Sequence, residues 1–170
     1  MKEYLIVDGY NIIGAWPELV RLKEIRLEDA RDRLIDLLAE YQAYSGVKVY
    51  LVFDAHQMPG LGAKYEQSRL EVLYTKEKET ADELIEALST KLTGRRSRVY
   101  VATSDMIEQH VIFGQGALRI SARELLVKIH QTRQEVQERI ESEKSFRNNS
   151  IDSKLSDELK QKFERWRRGL

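Results

Sequence analysis

The chain of 170 residues contains no cysteine. This absence excludes disulfides, thiolate nucleophiles, cysteine-based zinc sites and iron–sulfur clusters. It is compatible with a reducing compartment, although it does not require one.

The sequence also lacks an excess of charge of either sign, because 28 lysines and arginines balance 28 aspartates and glutamates. Proteins that attract nucleic acid through a global field are basic, and this chain is not. Contacts to phosphate would have to come from local clusters of arginine and lysine. Hydrophobic residues make up 42% of the chain, which is enough for the core of one domain.

Long hydrophobic runs are missing as well. The apolar run at residues 4–7 is cut short by Asp8, which makes it too short for the core of a signal peptide, and no small-residue cleavage site follows. No apolar stretch approaches the length of a membrane span. We therefore expect a cytoplasmic protein with no membrane association.

The hydrophobic pattern alternates between short apolar runs and amphipathic segments. Strands are predicted at residues 4–7, 47–53, 70–74, 97–102 and 117–120. Helices are predicted at residues 27–44, 80–92 and 106–113, and from 121 onward with a polar break at 148–150 and a last helix at 154–168. Thr80 is the expected N-cap of the second helix, because Glu83 three residues later completes a capping box. Residues 55–64 are predicted to form a loop, and Trp16 and Pro17 are expected to anchor another loop, with a role in the core favoured over stacking on a base. This alternation predicts right-handed βαβ units and a parallel sheet covered on both faces.

Aspartates follow three of the predicted strands, namely Asp8, Asp54 and Asp105. A fourth, Asp82, lies in the first turn of the helix that follows the third strand. Sites in open parallel sheets form at the carboxyl ends of the strands, where such a helix also begins. The four carboxylates are therefore expected to converge.

Clustered carboxylates need a compensating cation, and no lysine or arginine lies inside these motifs. Hard oxygen ligands suit Mg²⁺ or Mn²⁺. Such an ion can activate water and stabilise charge that builds up on a phosphate. The pattern therefore indicates metal-assisted phosphodiester hydrolysis.

Each acid also has a plain structural explanation. Asp8 could be a turn residue before Gly9, and Asp82 could simply favour the helix dipole. Asp105 could be a helix N-cap, and the loop behind Asp54 leaves the direction of that side chain open.

Several other residues are candidates for substrate contact. Asn11 could hydrogen-bond a phosphate or a water, or could be an ordinary loop amide. Arg119 and Arg123 follow the Gly-Gln-Gly segment at residues 114–116, which either guides a phosphate or merely connects two elements.

The arginines at positions 95, 96 and 98 lie at the opposite edge of the sheet, where a solvated turn is expected. Near the C-terminus, Arg165, Arg167 and Arg168 flank Trp166. This combination suits RNA contact or a helix that docks its aromatic side chains into the core, and we favour docking with RNA contact as a compatible secondary role.

Four blocks in this order resemble the NYN-domain ribonucleases, a branch of the PIN-like nuclease superfamily: VDGYNIIGAW, LVFDAH, TADELIE and VATSD. Two further blocks resemble the YacP-like subfamily, which includes a ribosome-associated endoribonuclease of Gram-positive bacteria: IFGQGALRISARELL and FERWRRG. The likeness runs over nearly the whole chain.

This resemblance implies a PIN-like three-layer α/β/α sandwich with a central parallel sheet. It implies a divalent-metal endoribonuclease whose acidic site uses Asp8, Asp82 and Asp105, with Asn11 and Asp54 beside them. It also implies RNA as the substrate, with mRNA on the ribosome as the setting. We expect a nuclease domain over residues 1–147, a helical extension over 148–170 packed on or beside it, and a monomer.

Two other classes of protein remain open from the sequence. One is a catalytically weak RNA- or ribosome-binding module on the same fold, although four acids would repel RNA in the absence of metal. The other is a small phosphohydrolase or receiver-type domain. A receiver needs a lysine at a later strand end, where this chain has Ala102-Thr103-Ser104-Asp105.

Overall fold

The structure is a computed structural model, and it describes residues 1–55, 70–104 and 116–169, without the side chains of residues 150–157, 160 and 163. Asp105, the predicted helix at 106–113, most of the predicted loop at 55–64 and most of the glycine-containing segment at 114–116 lie outside the described residues.

Strands and helices alternate through most of the described part of the chain. The strands are β1 (Lys2–Asp8), β2 (Lys48–Phe53), β3 (Glu71–Tyr74), β4 (Ser97–Ala102) and β5 (Leu118–Ile120). The helices are α1 (Gly9–Ile13), α2 (Pro17–Ile25), α3 (Leu27–Ser45), α4 (Ala81–Leu92) and α5 (Ala122–Arg167).

The five strands form one parallel sheet in the order β3-β2-β1-β4-β5. The first strand lies at the centre, where Asp8 is in register with Val52 of β2 and Val7 with Ala102 of β4. All the strands end at the same edge because they are parallel. The predicted parallel α/β architecture is confirmed.

Alternate residues of the strands pack into two separate cores. One face of the sheet is covered by α1, α2, α3 and the start of α5, and it buries Leu5, Val7 and Leu51. The opposite face is covered by α4, whose Ile85 packs with Ile6 and Val52. Since side chains alternate along a strand, Asp8 lies on the same face as Ile6, the α4 face.

The ends of two helices follow from local sequence. Thr80 caps α4, because its Oγ1 accepts a hydrogen bond from the Glu83 backbone N–H at 3.2 Å. This is the predicted N-cap. Helix α3 ends at Gly46, whose φ of 76° is left-handed and suits glycine.

The segment between β1 and α3 differs from the prediction. We expected a turn at Asp8-Gly9 and a loop anchor at Trp16 and Pro17, whereas the strand passes directly into α1 and Pro17 begins α2. Pro17 fits the first position of a helix because it has no N–H to leave unpaired. Trp16 is buried, as expected, and donates a hydrogen bond from Nε1 to the Ala122 carbonyl at 2.7 Å.

The chain divides into two compact units, Met1–Thr132 and Arg133–Leu170. The first contains the whole sheet and the buried start of α5, and the second continues that helix. The predicted break at Asn148-Asn149-Ser150 is wrong, because α5 is continuous through it. The predicted domain boundary at residue 147 stays a prediction. Among the described residues, no helix is both long and apolar enough to cross a membrane.

Candidate active site at the carboxyl edge of the sheet

Asp8 is the central acid of the predicted site. It is the last residue of the central strand β1 and is only 9% exposed. The next residue, Gly9, can carry no side chain, because a Cβ at this position would lie 2.3 Å from Cε1 of Phe53 and 3.0 Å from the Val52 carbonyl oxygen. The close approach of α1 to β2, and not a turn, therefore requires glycine after this aspartate.

Asn11 connects the ends of two neighbouring strands. Its Oδ1 accepts hydrogen bonds from both the backbone N–H and the hydroxyl of Ser104, each at 2.6 Å. Ser104 lies two residues beyond β4 and directly before Asp105. Since Oδ1 is occupied, the group that Asn11 offers to a ligand is its amide NH₂, a donor that suits a phosphate or water oxygen.

Asp54 directly follows β2 and is partly buried. Thr75, which is buried just beyond β3, donates from Oγ1 to Asp54 Oδ1 at 3.4 Å and accepts from the Ala55 N–H at 2.9 Å. This threonine orients the chain after β2, so the direction of Asp54 that was open from the sequence is set by a neighbour on the next strand.

Asp82 lies in the first turn of α4 and is exposed. One turn further along the helix, Ile85 is buried against Ile6, and Ile6 precedes Asp8 by two residues on the same face of the sheet. The helix therefore places Asp82 on the same side of the sheet as Asp8.

An arginine that the sequence pattern did not reveal also reaches this region. Arg31 of α3 is only 7% exposed, and its Nη1 lies 3.4 Å from the Tyr10 hydroxyl. Burial raises the pKa of the Tyr10 phenol, the hydrogen bond and charge of Arg31 oppose this rise, and the negative charge of Asp54 adds to it. Tyr10 is therefore a neutral phenol near pH 7.

The predicted acids are only partly grouped by the structure. Within residues 1–55, 70–104 and 116–169, no three histidine or acidic side chains form a cluster that could hold a metal ion. Asp105 lies outside those ranges. The metal-binding and catalytic assignments of Asp8, Asp54, Asp82, Asp105 and Asn11 therefore stay predictions.

The predicted RNA-contact arginines lie in both units. Arg119 is on the edge strand β5 and is half-buried, and its Nε is buried with no hydrogen-bond partner among the described residues. Arg123 is exposed in the first turn of α5. In the second unit, Arg165, Arg167 and Arg168 are exposed, and Trp166 is 86% exposed. The expected docking of this helix stays a prediction.

The fold and this edge define a parallel α/β protein with acidic and amide side chains at the strand ends. Comparison with known proteins then identifies the family. The sequence matches the YacP-like NYN domain over residues 5–168. The chain belongs to this family, and membership implies a nuclease or RNA-related function.

Similar proteins include one from Bacillus subtilis. The uncharacterized protein YacP of strain 168 is 49% identical over 167 residues, which cover 98% of each chain. The crystal structure of Rae1 (YacP) matches with a TM-score of 0.76 and 49% identity, covering 98% of this chain and 95% of that one. A crystal structure of a tryptophan-to-leucine mutant of the same protein matches with a TM-score of 0.72 and 50% identity, covering 82% of this chain and 81% of that one.

Proposed function

We propose that this protein is a divalent-metal-dependent endoribonuclease that hydrolyses RNA phosphodiester bonds, acting on mRNA in association with the ribosome in the cytoplasm. The YacP-like NYN family supports a nuclease function. The polar groups at the carboxyl edge of the sheet support placing the active site there.

One observation carries the proposal, namely the link between the ends of β1 and β4. Asn11, three residues after the buried Asp8, binds Ser104 through two hydrogen bonds of 2.6 Å. Asp8 and the backbone leading to Asp105 are thereby held at the same edge. A buried carboxylate, with an amide three residues later that is bound to the end of the neighbouring strand, suits a substrate that carries both metal-bound and hydrogen-bonded oxygens.

The donor set fits Mg²⁺ or Mn²⁺. All the candidate ligands are oxygen donors, and Mg²⁺ is commonly held by one or two carboxylates while it keeps several waters. A compact cluster of three acids is therefore not required. One or two of the candidate ligands Asp8, Asp54, Asp82 and Asp105 would hold the ion together with its waters, and the ion when bound would supply activation of water and stabilisation of charge on the phosphate.

The remaining groups act on the substrate. The amide NH₂ of Asn11 donates to a phosphate or water oxygen, and Arg119 and Arg123 contact phosphates along the strand. The arginines at the end of α5, Arg165, Arg167 and Arg168, provide further phosphate contacts beside the exposed Trp166. These contacts position RNA without reading its sequence.

A ribosome-dependent setting fits the charge of the chain. A net charge of zero provides no global attraction to RNA, so affinity for free RNA is expected to be weak. A ribosome that binds the protein and holds the mRNA beside it would compensate for the weak affinity, because it raises the local concentration of the substrate. We further propose that the protein acts as a monomer.

Cleavage of mRNA in translating ribosome complexes, supplied with Mg²⁺ or Mn²⁺, tests this proposal. The wild type is compared with Asp8→Asn and Asp82→Asn, with Asp36→Asn as the matched control because Asp36 is an exposed aspartate in the middle of α3. Cut sites are mapped by primer extension. Circular dichroism verifies that each variant is folded.

We expect cuts with the wild type and with Asp36→Asn, and at least a hundredfold slower cutting with the other two variants (about 2.7 kcal/mol of lost transition-state stabilisation). Equal cutting by all four proteins would refute the assignment of the site. Ribosome binding without any cutting by the wild type would instead favour a binding module on the same fold.

A further inference from the structure

An open cleft lies at the amino edge of the sheet, where the parallel strands begin. It is formed by the first residues of β1 and β2 and by the end of α3, and its volume is about 610 Å³. Sites for small ligands commonly have volumes of about 300–1,000 Å³. The strand ends that carry Asp8 and Asp54 lie at the opposite edge, so this cleft is separate from the candidate active site.

Two tyrosines line the cleft. The ring centroids of Tyr4 and Tyr50 are 6.3 Å apart, and the ring planes are tilted by 40°. Both rings pack partly against the core on the α4 face of the sheet and remain partly exposed. A ring that is fixed by its packing and still reaches solvent is suited to stacking with a nucleic-acid base.

Two lysines border these rings. Lys48 is in register with Tyr4, and its Nζ lies 5.7 Å from the ring centroid of Tyr50. The same Nζ is 3.4 Å from Oε1 of Glu71, but both side chains of this pair are partly exposed, so the pair is weak and Lys48 can also contact a ligand. Lys2 is exposed and lies on the same face of β1 as Tyr4, because side chains alternate along a strand.

The turn before β4 brings two arginines to the same edge. The backbone N–H of Lys2 donates a hydrogen bond of 3.0 Å to the Arg96 carbonyl, which fastens the turn to the start of β1. Within the turn, Ser97 Oγ donates to the Leu92 carbonyl at 2.6 Å. Arg95 and Arg96 are exposed, as expected for a solvated turn, and the turn holds them beside Lys2.

The charges at this edge favour an anionic ligand. Residues 1–4, 45–50, 71 and 94–97 contain four basic side chains and two acidic ones, Glu3 and Glu71, although the whole chain has no net charge. The opposite edge carries the aspartates of the candidate active site. A local excess of positive charge attracts phosphates even where the net charge of the protein is zero.

We propose that this cleft is a second RNA-binding site, which holds a short single-stranded segment without cutting it. A base stacks on Tyr4, and the phosphates on either side contact the four basic side chains, namely Lys2, Lys48, Arg95 and Arg96. Cationic side chains around an aromatic ring are the usual composition of a site for single-stranded nucleic acid. The inference rests on the proposed function only in the choice of RNA as the ligand.

The first experiment measures binding of a fluorescein-labelled oligouridylate of about 12 nucleotides to the full chain by fluorescence anisotropy. EDTA is present so that no metal occupies the acidic edge, and the titration is repeated at several NaCl concentrations. The variant Arg95→Ala/Arg96→Ala removes two cations from the cleft. The matched control Arg139→Ala/Lys144→Ala removes two exposed cations from α5.

The arginines should act through phosphates. Each phosphate contact of a single strand contributes about 0.7 to the slope of log Kd against log salt concentration. Arg95→Ala/Arg96→Ala should therefore bind more weakly at low salt, with a slope lower by about 1.4. The control should keep the affinity and the slope of the wild type. Equal losses in both double variants, or no loss in the first, would overturn the proposal.

The second experiment tests stacking on Tyr4. Tyr4→Leu should weaken binding of the oligouridylate at least about fivefold, with the slope unchanged, because the loss of a stacked base removes no charge. Tyr4→Phe, which keeps the ring, should bind within about twofold of the wild type. Circular dichroism verifies folding, and Tyr4→Ile takes the place of Tyr4→Leu where that variant does not fold.

An RNA duplex of the same length serves as the control ligand. Tyr4→Leu should leave its affinity unchanged, because paired bases cannot stack on the ring. An equal loss of affinity for the duplex and the single strand would show that the substitution disturbs the surface as a whole, and this would overturn the stacking role. Unchanged binding of the single strand by folded Tyr4→Leu would overturn it as well.

These measurements separate the cleft from the nuclease. Binding of the oligouridylate that depends on Tyr4 and the two arginines, in a wild type that cuts no mRNA on the ribosome, would support the cleft and refute the nuclease. Cutting by the wild type, with binding that none of these substitutions changes, would do the reverse.

Discussion

Replacing Gly9 with alanine should test how closely α1 approaches the sheet. The added Cβ would lie 2.3 Å from Cε1 and 2.5 Å from Cδ1 of Phe53, and 3.0 Å from the Val52 carbonyl oxygen. Phe53 is fully buried, with its ring between those of Tyr10 and Tyr74, so the ring has no open space to move into.

The magnitude follows from two opposing effects. Overpacking a core costs about 1–3 kcal/mol, and the upper end applies here because a buried ring and a backbone carbonyl both resist. Alanine in place of glycine recovers about 0.4–1 kcal/mol, since Gly9 is not among the glycines with positive φ. The variant should therefore be destabilised by about 2 kcal/mol.

Gly14→Ala is the matched control. Gly14 is exposed at the end of α1, its φ is −75°, and the nearest atom to its added Cβ is a carbonyl oxygen at 3.5 Å. This variant should be as stable as the wild type or more stable by up to about 1 kcal/mol. Urea unfolding monitored by circular dichroism measures both.

Two results would refute this reasoning. One is a Gly9→Ala variant as stable as the wild type, which would mean that α1 and Phe53 separate at no cost. The other is equal destabilisation by Gly14→Ala, which would mean that the loss of stability comes from helix geometry and not from the close approach of α1 to Phe53. Because α1 carries Asn11, we also expect Gly9→Ala to lower activity more than its stability loss explains.

Three further predictions concern stability. Trp16→Phe leaves the Ala122 carbonyl without its buried 2.7 Å hydrogen bond and should cost about 1–3 kcal/mol in urea unfolding; an unchanged midpoint would show that the bond contributes nothing. Thr80→Ala removes the cap of α4 and should cost about 1 kcal/mol, whereas Thr90→Ala on the exposed side of the same helix should stay within about 0.5 kcal/mol. Burial raises the pKa of the Tyr41 phenol above 10.0, the ordinary pKa of tyrosine. The stability that the neutral, buried phenol gives the fold is therefore fully present below pH 10.0, and it is lost as the pH rises through the pKa of Tyr41 in the folded protein. Tyr41→Phe should make stability fall less steeply above pH 10.0, and a matching change in the exposed Tyr44→Phe would contradict that assignment.

The parallel sheet was predictable from sequence because its strands are short, apolar runs that mostly end at polar residues. The runs at residues 47–53 and 97–102 correspond to β2 and β4 within one residue at either end. Thr80 and Glu83 likewise marked the start of α4, since a capping pattern is purely local.

Features that depend on tertiary contacts were missed or misread. Gly9 resembles a turn residue in sequence, and only the ring of Phe53, which is distant along the chain, explains it. Pro17 suggested a loop, although proline at the first position of a helix is favourable. Helix α5 continues through Asn148-Asn149-Ser150 although asparagine and serine are weak helix formers.

Arg31 did leave a signal that can be recognised. It occupies a position between Leu27 and Ile35 at spacings of four, on the side of α3 that is otherwise apolar. An arginine on the buried face of an amphipathic helix needs a partner, because a buried charge is costly. The sequence could indicate that such a partner exists, but only the fold identifies the Tyr10 hydroxyl as that partner.

The metal dependence of RNA cleavage tests the central claim most directly. Translating ribosome complexes are incubated with the wild type or Asp8→Asn at the lowest Mg²⁺ concentration that keeps the ribosome intact, and then with increasing Mn²⁺. We predict cutting that rises and saturates with the divalent ion for the wild type, and a curve for Asp8→Asn that is displaced to higher Mn²⁺ or absent. Cutting by the two proteins that is equally fast at every metal concentration would contradict the account.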